Sequence, residues 1–211
     1  MKMMVIGANG KQGRLLTKKA EERGHEVIAL SPDGMGIPFR GKLLQKSLFE
    51  LTEVDLEGVD AVLSAFGGGL DADPVINRRA VDFLINLIGR RHITLLVLGG
   101  AGTLWSDRTK RHRVFETEAH PAALRGISEQ LSLAAEDLKN SGLWDWSFVC
   151  PSLHFDFEGA ETGAWQVGCD EVPLCNKNGD SRISYRDFAS AMVSEAEKRE
   201  YRNRCITVCE R

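Results

Sequence analysis

The stretch "GANGKQG" places Gly7, Gly10 and Gly13 in a G-x-x-G-x-x-G spacing directly after the apolar run Met3 to Ile6. That spacing suits an anion. A glycine at a strand end permits a tight turn, a second lets the backbone approach a pyrophosphate, and a third lets the next helix pack close to the strand. The helix then aims its free N–H groups and positive dipole end at the phosphates. Asn9, Lys11 and Gln12 stand where side chains would meet such a ligand. The alternative is a glycine-rich turn that holds nothing. A strand before, a helix after and a second strand within about 30 residues favour the ligand.

Three other stretches carry residues fit for chemistry. His154 follows a strand that ends in Cys150-Pro151. Beyond a strand's C-terminal end it could donate a proton, or be an ordinary surface or packing histidine. Leu104 to Pro121 carries Arg108, Lys110, Arg111, His112 and Arg113 among Glu116 and Glu118. It could close over an anionic ligand or be a solvated loop. Trp105 and Phe155 could stack on a flat ring or belong to the core.

"NKNGDSRISYRD", Asn176 to Asp187, has the outline of a calcium loop. Its sixth position is Ser181 rather than glycine, and its twelfth is the short Asp187. A strand-like segment with Pro173 precedes it, where a helix is needed. No metal site is expected. The same letters read as a turn, a short extended piece and a helix capped by Ser184, with Asp187 as a capping-box acid.

These groups need a frame to hold them. "MMVI", "EVIAL", "DAVLSAF", "ITLLVLGG" and "DWSFVCP" read as buried strands. Helices are expected from Lys11 to Arg23, after Asp73-Pro74, and around Leu131, Ala134, Ala135 and Leu138. The alternation predicts an α/β fold: a Rossmann-like, doubly wound parallel sheet with helices on both faces. In such a sheet ligands sit beyond the C-terminal strand ends. "AFGGG" and "GGAG" end two strands, so Ala65, Phe66, Gly67, Gly99 and Gly100 are expected to line the same crevice. After Pro151, "TGAWQVG" and "EVPLC" read as short strands, followed by a helix from Tyr185 and a last strand, "RCITVCE". Residues 1–211 are expected to form one domain, with about 151–184 as a small substrate-side cap.

The net charge of −3 suggests neither a nucleic-acid nor a membrane partner. No apolar run approaches the roughly 18 residues of a spanning helix, and "MKMMVIGANG" is too short in apolar residues for a secretory leader. The five cysteines include no C-x-x-C pair and are expected to be buried and reduced, as in a cytoplasmic protein.

"MVIGANGKQGRLL", "VDAVLSAFG", "LLVLGGAGTL", "DWSFVCP", "TGAWQVG" and "SRISYRDFA" occur in the order found in the atypical short-chain dehydrogenases. Over nearly its whole length the chain resembles the NAD(P)-binding NADH-flavin reductase group, related to biliverdin reductase B and NmrA-like proteins. The resemblance implies NAD or NADP as cofactor, a small-molecule acceptor with FMN or FAD as candidates, a cytoplasmic setting, and a monomer or homodimer. It also implies adenine contacts from Ser47 and Leu48, after the strand "KLLQ". Non-catalytic NAD(P) sensing, as in NmrA-like relatives, is the alternative. Nucleotide-sugar epimerisation ranks below both.

Two departures from the family pattern matter. Ordinary short-chain dehydrogenases use Tyr-x-x-x-Lys, but Tyr185 and Tyr201 have Ala189 and Cys205 four residues on. Hydride transfer between stacked rings can proceed without that pair. Many relatives carry an arginine for a 2′-phosphate where this chain has Pro32. Asp33 could instead accept from a ribose hydroxyl, while Lys11 and Arg14 could still attract a phosphate, so NAD and NADP both stay open.

Overall fold

The computed structural model describes residues Met1–Arg211. Its strands are β1 (Lys2–Ile6), β2 (Glu26–Leu30), β3 (Lys42–Leu44), β4 (Ala61–Ser64), β5 (Thr94–Leu98), β6 (Asp145–Pro151), β7 (His154–Asp156), β8 (Trp165–Gly168), β9 (Arg182–Ser184) and β10 (Arg204–Glu210). The helices are α1 (Lys11–Glu22), α2 (Val75–Ile88), α3 (Arg125–Lys139) and α4 (Tyr185–Lys198).

Eight strands form one sheet in the order β3-β2-β1-β4-β5-β6-β10-β8. All neighbours pair parallel except β8, which runs antiparallel to β10 at the edge. The chain steps outward from β1 to β3 and then returns to β4 on the other side of β1. That reversal opens a crevice beyond the C-terminal ends of β1 and β4.

Strand alternation divides the core between the two faces. Met4 and Ile6 of β1 pack with Leu84 and Ile88 of α2 and Ala134 and Leu138 of α3. Met3 and Val5 face the other way, towards Leu16 and Ala20 of α1 and Phe188, Met192 and Ala196 of α4. Phe188 is fully buried, and burying one such side chain contributes about 1.5–3 kcal/mol. The sheet is thus covered on both faces, as the Rossmann-like pattern requires. No helix is long and apolar enough to cross a membrane.

The expected helix ends recur with small shifts. Gly24, at φ +80°, follows α1 in the left-handed conformation that lets the chain turn away. Pro74 is the residue before α2, and Asp73 Oδ1 accepts from the Val75 N–H at 3.0 Å.

Residues 151–184 divide into parts. β7 and β9 form a small parallel pair of their own, while β8 joins the main sheet. Glu171–Cys175 is not a strand, contrary to expectation. Its Val172 is buried and its carbonyl takes the Thr207 hydroxyl at 3.1 Å, so irregular backbone is satisfied by a side chain instead of a ladder.

The calcium-like stretch is a turn, a strand and a helix start. Asn176 Oδ1 accepts from the N–H groups of Asn178 (2.9 Å) and Asp180 (3.0 Å), and Ser184 Oγ from that of Asp187 (3.0 Å). Asp187 departs from its expected capping-box role. It is buried, and its carboxylate accepts from Thr162 N, Thr162 Oγ1 and Gly163 N instead of from the Ser184 N–H.

The cysteines also differ from expectation. Cys150, Cys205 and Cys209 are buried, but Cys169 and Cys175 are exposed. Burial pushes the Cys150 thiol up to about 12, and burial also raises that of Cys205. An Ellman titration is therefore expected to modify two thiols in the native protein and all five after unfolding. Rapid native modification of a third thiol would contradict this packing.

Candidate nucleotide site

A cleft of about 380 Å³ lies at the β1–β4 crossover point. Among the residues expected to bind a ligand, Gly7, Asn9, Gly10, Asp33, Ser47, Leu48, Ala65, Phe66 and Gly67 all line it. They come from the C-terminal ends of four strands: β1, β2, β3 and β4.

The glycines are required by geometry. Gly7 has φ +70°, and a Cβ there would sit 2.7 Å from the Ala65 carbonyl oxygen. A Cβ on Gly13 would overlap the Gly7 carbonyl and Ala8 Cα. Gly10 precedes α1 and offers no side-chain cap, and the first turn of α1 has no acidic residue. The N–H groups of that turn are left for an outside acceptor. These residues fit a pyrophosphate: clearance, free donors and no competing negative charge.

The side chains around the turn are less free than the sequence suggests. Arg14 Nε and Nη2 donate to Asn9 Oδ1 at 3.1 and 2.8 Å, and Nε also reaches the Asn9 carbonyl at 2.8 Å. Gly36 N adds a third donor to the same Oδ1 at 2.7 Å. Gln12 does not face the cleft. It is buried beneath α1, and its Nε2 donates to the Tyr185 carbonyl at 3.2 Å. It ties the first turn of α1 to that of α4. Lys11 is exposed outside the cleft, with Nζ 4.7 Å from the Phe157 ring centroid.

The apolar wall comes from Ile6, Leu30, Leu48 and Phe66. Phe66 is braced edge-on by Phe49 at 6.2 Å. Ser47 caps a short 3₁₀ turn, with its N–H on Glu50 Oε2 at 2.7 Å. Ser31, Pro32 and Lys46 line the cleft too. Ser31 and Lys46 escaped the sequence reading. Both lie just past strand ends, so the rule that ligands meet C-terminal strand ends could have found them.

Gly99 and Gly100 lie one strand further along, after β5, outside this lining. A Cβ on Gly99 would overlap the Phe148 ring, so close packing against β6 explains that glycine. His154 is exposed on β7, in a shallow depression with Asp180, Ser181 and Arg182. It does not reach the cleft. Phe155 faces the other way and stacks on Tyr185, with centroids 3.8 Å apart, while Phe157 meets the same ring edge-on at 5.3 Å. Tyr185 is thus engaged on its ring, and burial holds its hydroxyl above the ordinary range. Tyr201 precedes β10, at the opposite end of the sheet from the cleft.

Leu104 to Pro121 folds back on itself. Trp105 bridges Arg113, whose guanidinium lies 3.7 Å from the Trp105 ring centroid and donates to the Thr103 carbonyl at 2.7 Å. Arg108, Lys110 and Arg111 remain exposed.

The NAD(P)H-binding family model matches residues 7–199. The uncharacterized protein YwnB of Bacillus subtilis (strain 168) is 35% identical over 209 residues, covering 99% of this chain and 98% of that protein. The crystal structure of SP1627 from Streptococcus pneumoniae TIGR4, "a putative NADH-flavin reductase", superposes with a TM-score of 0.92 at 33% identity, covering all of both chains. A "putative NAD-dependent epimerase/dehydratase" from Bacillus halodurans shares the fold, with a TM-score of 0.76 at 21% identity, over 100% of this chain and 94% of that one.

Proposed function

The chain belongs to the NAD(P)H-binding family, within the atypical short-chain dehydrogenases, and from that premise we propose that it reduces a flavin or similar flat acceptor. The observation that carries this reading is the uncapped first turn of α1 opening onto the β1–β4 cleft. Bound there, a reduced nicotinamide dinucleotide supplies a hydride. The N–H groups of α1 hold its pyrophosphate, and Gly7 lets the backbone approach. Leu30, Leu48 and Phe66 exclude water from the adenosine end.

The flat acceptor is favoured by what the chain lacks. Neither tyrosine has a lysine four residues on, and Tyr185 is stacked on Phe155 and met edge-on by Phe157. A carbonyl substrate needs a proton delivered in step with the hydride. A flavin takes hydride on one ring nitrogen, and the anionic reduced ring can take its proton from solvent, so orientation dominates. The likeness to SP1627 supports the same acceptor class.

Steady-state oxidation of NADH and NADPH with FMN, FAD and quinones tests the reading. Turnover is expected with at least one flavin. No turnover with any acceptor would sink it. Tight dinucleotide binding without turnover would instead favour a sensing role, which the lack of a free acid in the cleft other than Asp33 also suits.

A further inference from the structure

We propose that a second cavity, between the C-terminal half of α4 and the β10–β8 edge of the sheet, binds a small zwitterion of the amino-acid class, with Glu195 taking its ammonium group and Lys198 its carboxylate. The cavity measures about 300 Å³ and shares no lining residue with the nucleotide cleft. Strands β5 and β6 separate it from β1 and β4.

Glu195 is the residue that the fold alone does not explain. It is only 6% exposed, on the face of α4 turned towards the sheet. Its Oε1 accepts from the Tyr201 N–H at 2.8 Å, which fastens the turn between α4 and β10. Its Oε2 has no hydrogen-bond partner in the protein, and no lysine or arginine pairs with the carboxylate, which lines the cavity. A buried carboxylate without a counter-charge is costly, and an arriving cation offsets that cost. Burial accordingly holds the Glu195 carboxyl above its ordinary range. An ammonium group is compact and carries three donors, which suits a site with one free oxygen and little room.

The opposite charge is present as well. Lys198, one turn further along α4, and Arg211, after β10, line the same cavity, and neither forms an ion pair. Lys198 stands at the i+3 spacing from Glu195 yet does not bridge to it. A plain amine would meet Lys198 and Arg211, and a plain carboxylate would meet Glu195 and the exposed Glu200. A ligand with both charges matches what the side chains leave unpaired. Trp165, Ile206 and Val208 supply an apolar wall for its side chain.

Calorimetric titration of the full chain with L-phenylalanine and L-leucine tests this. Saturable binding is expected with at least one of them. N-acetyl-L-phenylalanine lacks the ammonium group and phenethylamine lacks the carboxylate, so each should bind about 10-fold or more weakly than L-phenylalanine, the range of one charge-assisted hydrogen bond. Glu195→Gln keeps an acceptor for the Tyr201 N–H and should weaken amino-acid binding by a similar factor. Lys198→Glu, at an exposed position without a partner, should do the same. Below neutral pH an arriving ammonium should drive a proton off Glu195, so the binding enthalpy should differ between phosphate and imidazole buffers in wild type and not in Glu195→Gln. No saturable binding of either amino acid in the millimolar range would overturn the proposal. So would equal binding of the N-acetyl form. Wild-type affinity in a folded Glu195→Gln or Lys198→Glu protein would overturn the pairing that the variant removes.

Discussion

Gly13→Val is expected to lower dinucleotide affinity about 100-fold or more, a loss near 2.7 kcal/mol. The side chain would have to occupy the space of the Gly7 carbonyl and Ala8 Cα. These are backbone atoms, so no rotamer change relieves the overlap. Either α1 moves away from β1, or the turn opens. Both displace the N–H groups that the pyrophosphate needs. Gly24→Ala is the matched control. Gly24 has φ +80° but no atom within 4 Å of the added Cβ, so about 1–2 kcal/mol of stability is lost through backbone strain alone. Its affinity should equal wild type. Calorimetry, with circular dichroism to establish folding, measures both. Near-normal affinity in a folded Gly13→Val protein would mean that the phosphates do not sit on this turn.

Asp187→Ala is expected to lower stability by about 3 kcal/mol, a fall in Tm of about 6–12 °C. The carboxylate is buried and holds Thr162 N (3.0 Å), Gly163 N (2.8 Å) and Thr162 Oγ1 (2.7 Å). It also sits in the first turn of α4, where the helix dipole favours negative charge. Alanine would remove the buried acceptor that these three donors share. The neighbouring Glu161 binds Lys19 of α1 at 2.7 Å and Ser190 of α4 at 2.8 Å, so the loosened loop is also the link between the two helices. Ser184→Ala removes only the helix cap and should lower stability by about 1 kcal/mol. Thermal melts that put Asp187→Ala no lower than Ser184→Ala would refute the clamp.

Asp187 also illustrates what the sequence could carry. Helix start and cap at Ser184 were legible, because capping is a local matter of spacing. The carboxylate's partners were not, because Thr162 and Gly163 lie 25 and 24 residues away and only the tertiary fold brings them in. The phosphate turn was legible for the same local reason: strand, glycines and helix follow one another directly. Gln12 stands outside the cleft lining, because adjacency to the turn says nothing about which side of α1 a residue faces. Its partner is the carbonyl of Tyr185, on another helix. Gly99 shares its glycine signature with Gly7, yet it makes room for Phe148 instead of standing in the cleft lining. Glu171–Cys175 has strand-like residue types, but its buried Val172 carbonyl is met by a hydroxyl and not by a neighbouring strand.

The central claim, hydride delivery to a flat acceptor, is tested most directly by anaerobic mixing. The protein is combined with NADH and excess FMN, and loss of the NADH and flavin absorbances is followed together. Without oxygen to recycle the flavin, each equivalent of NADH consumed should bleach one equivalent of flavin, at a rate proportional to protein. The Gly13→Val protein should show only the buffer rate. Bleaching no faster than buffer with wild-type protein, in FMN and again in FAD, would contradict flavin as the acceptor.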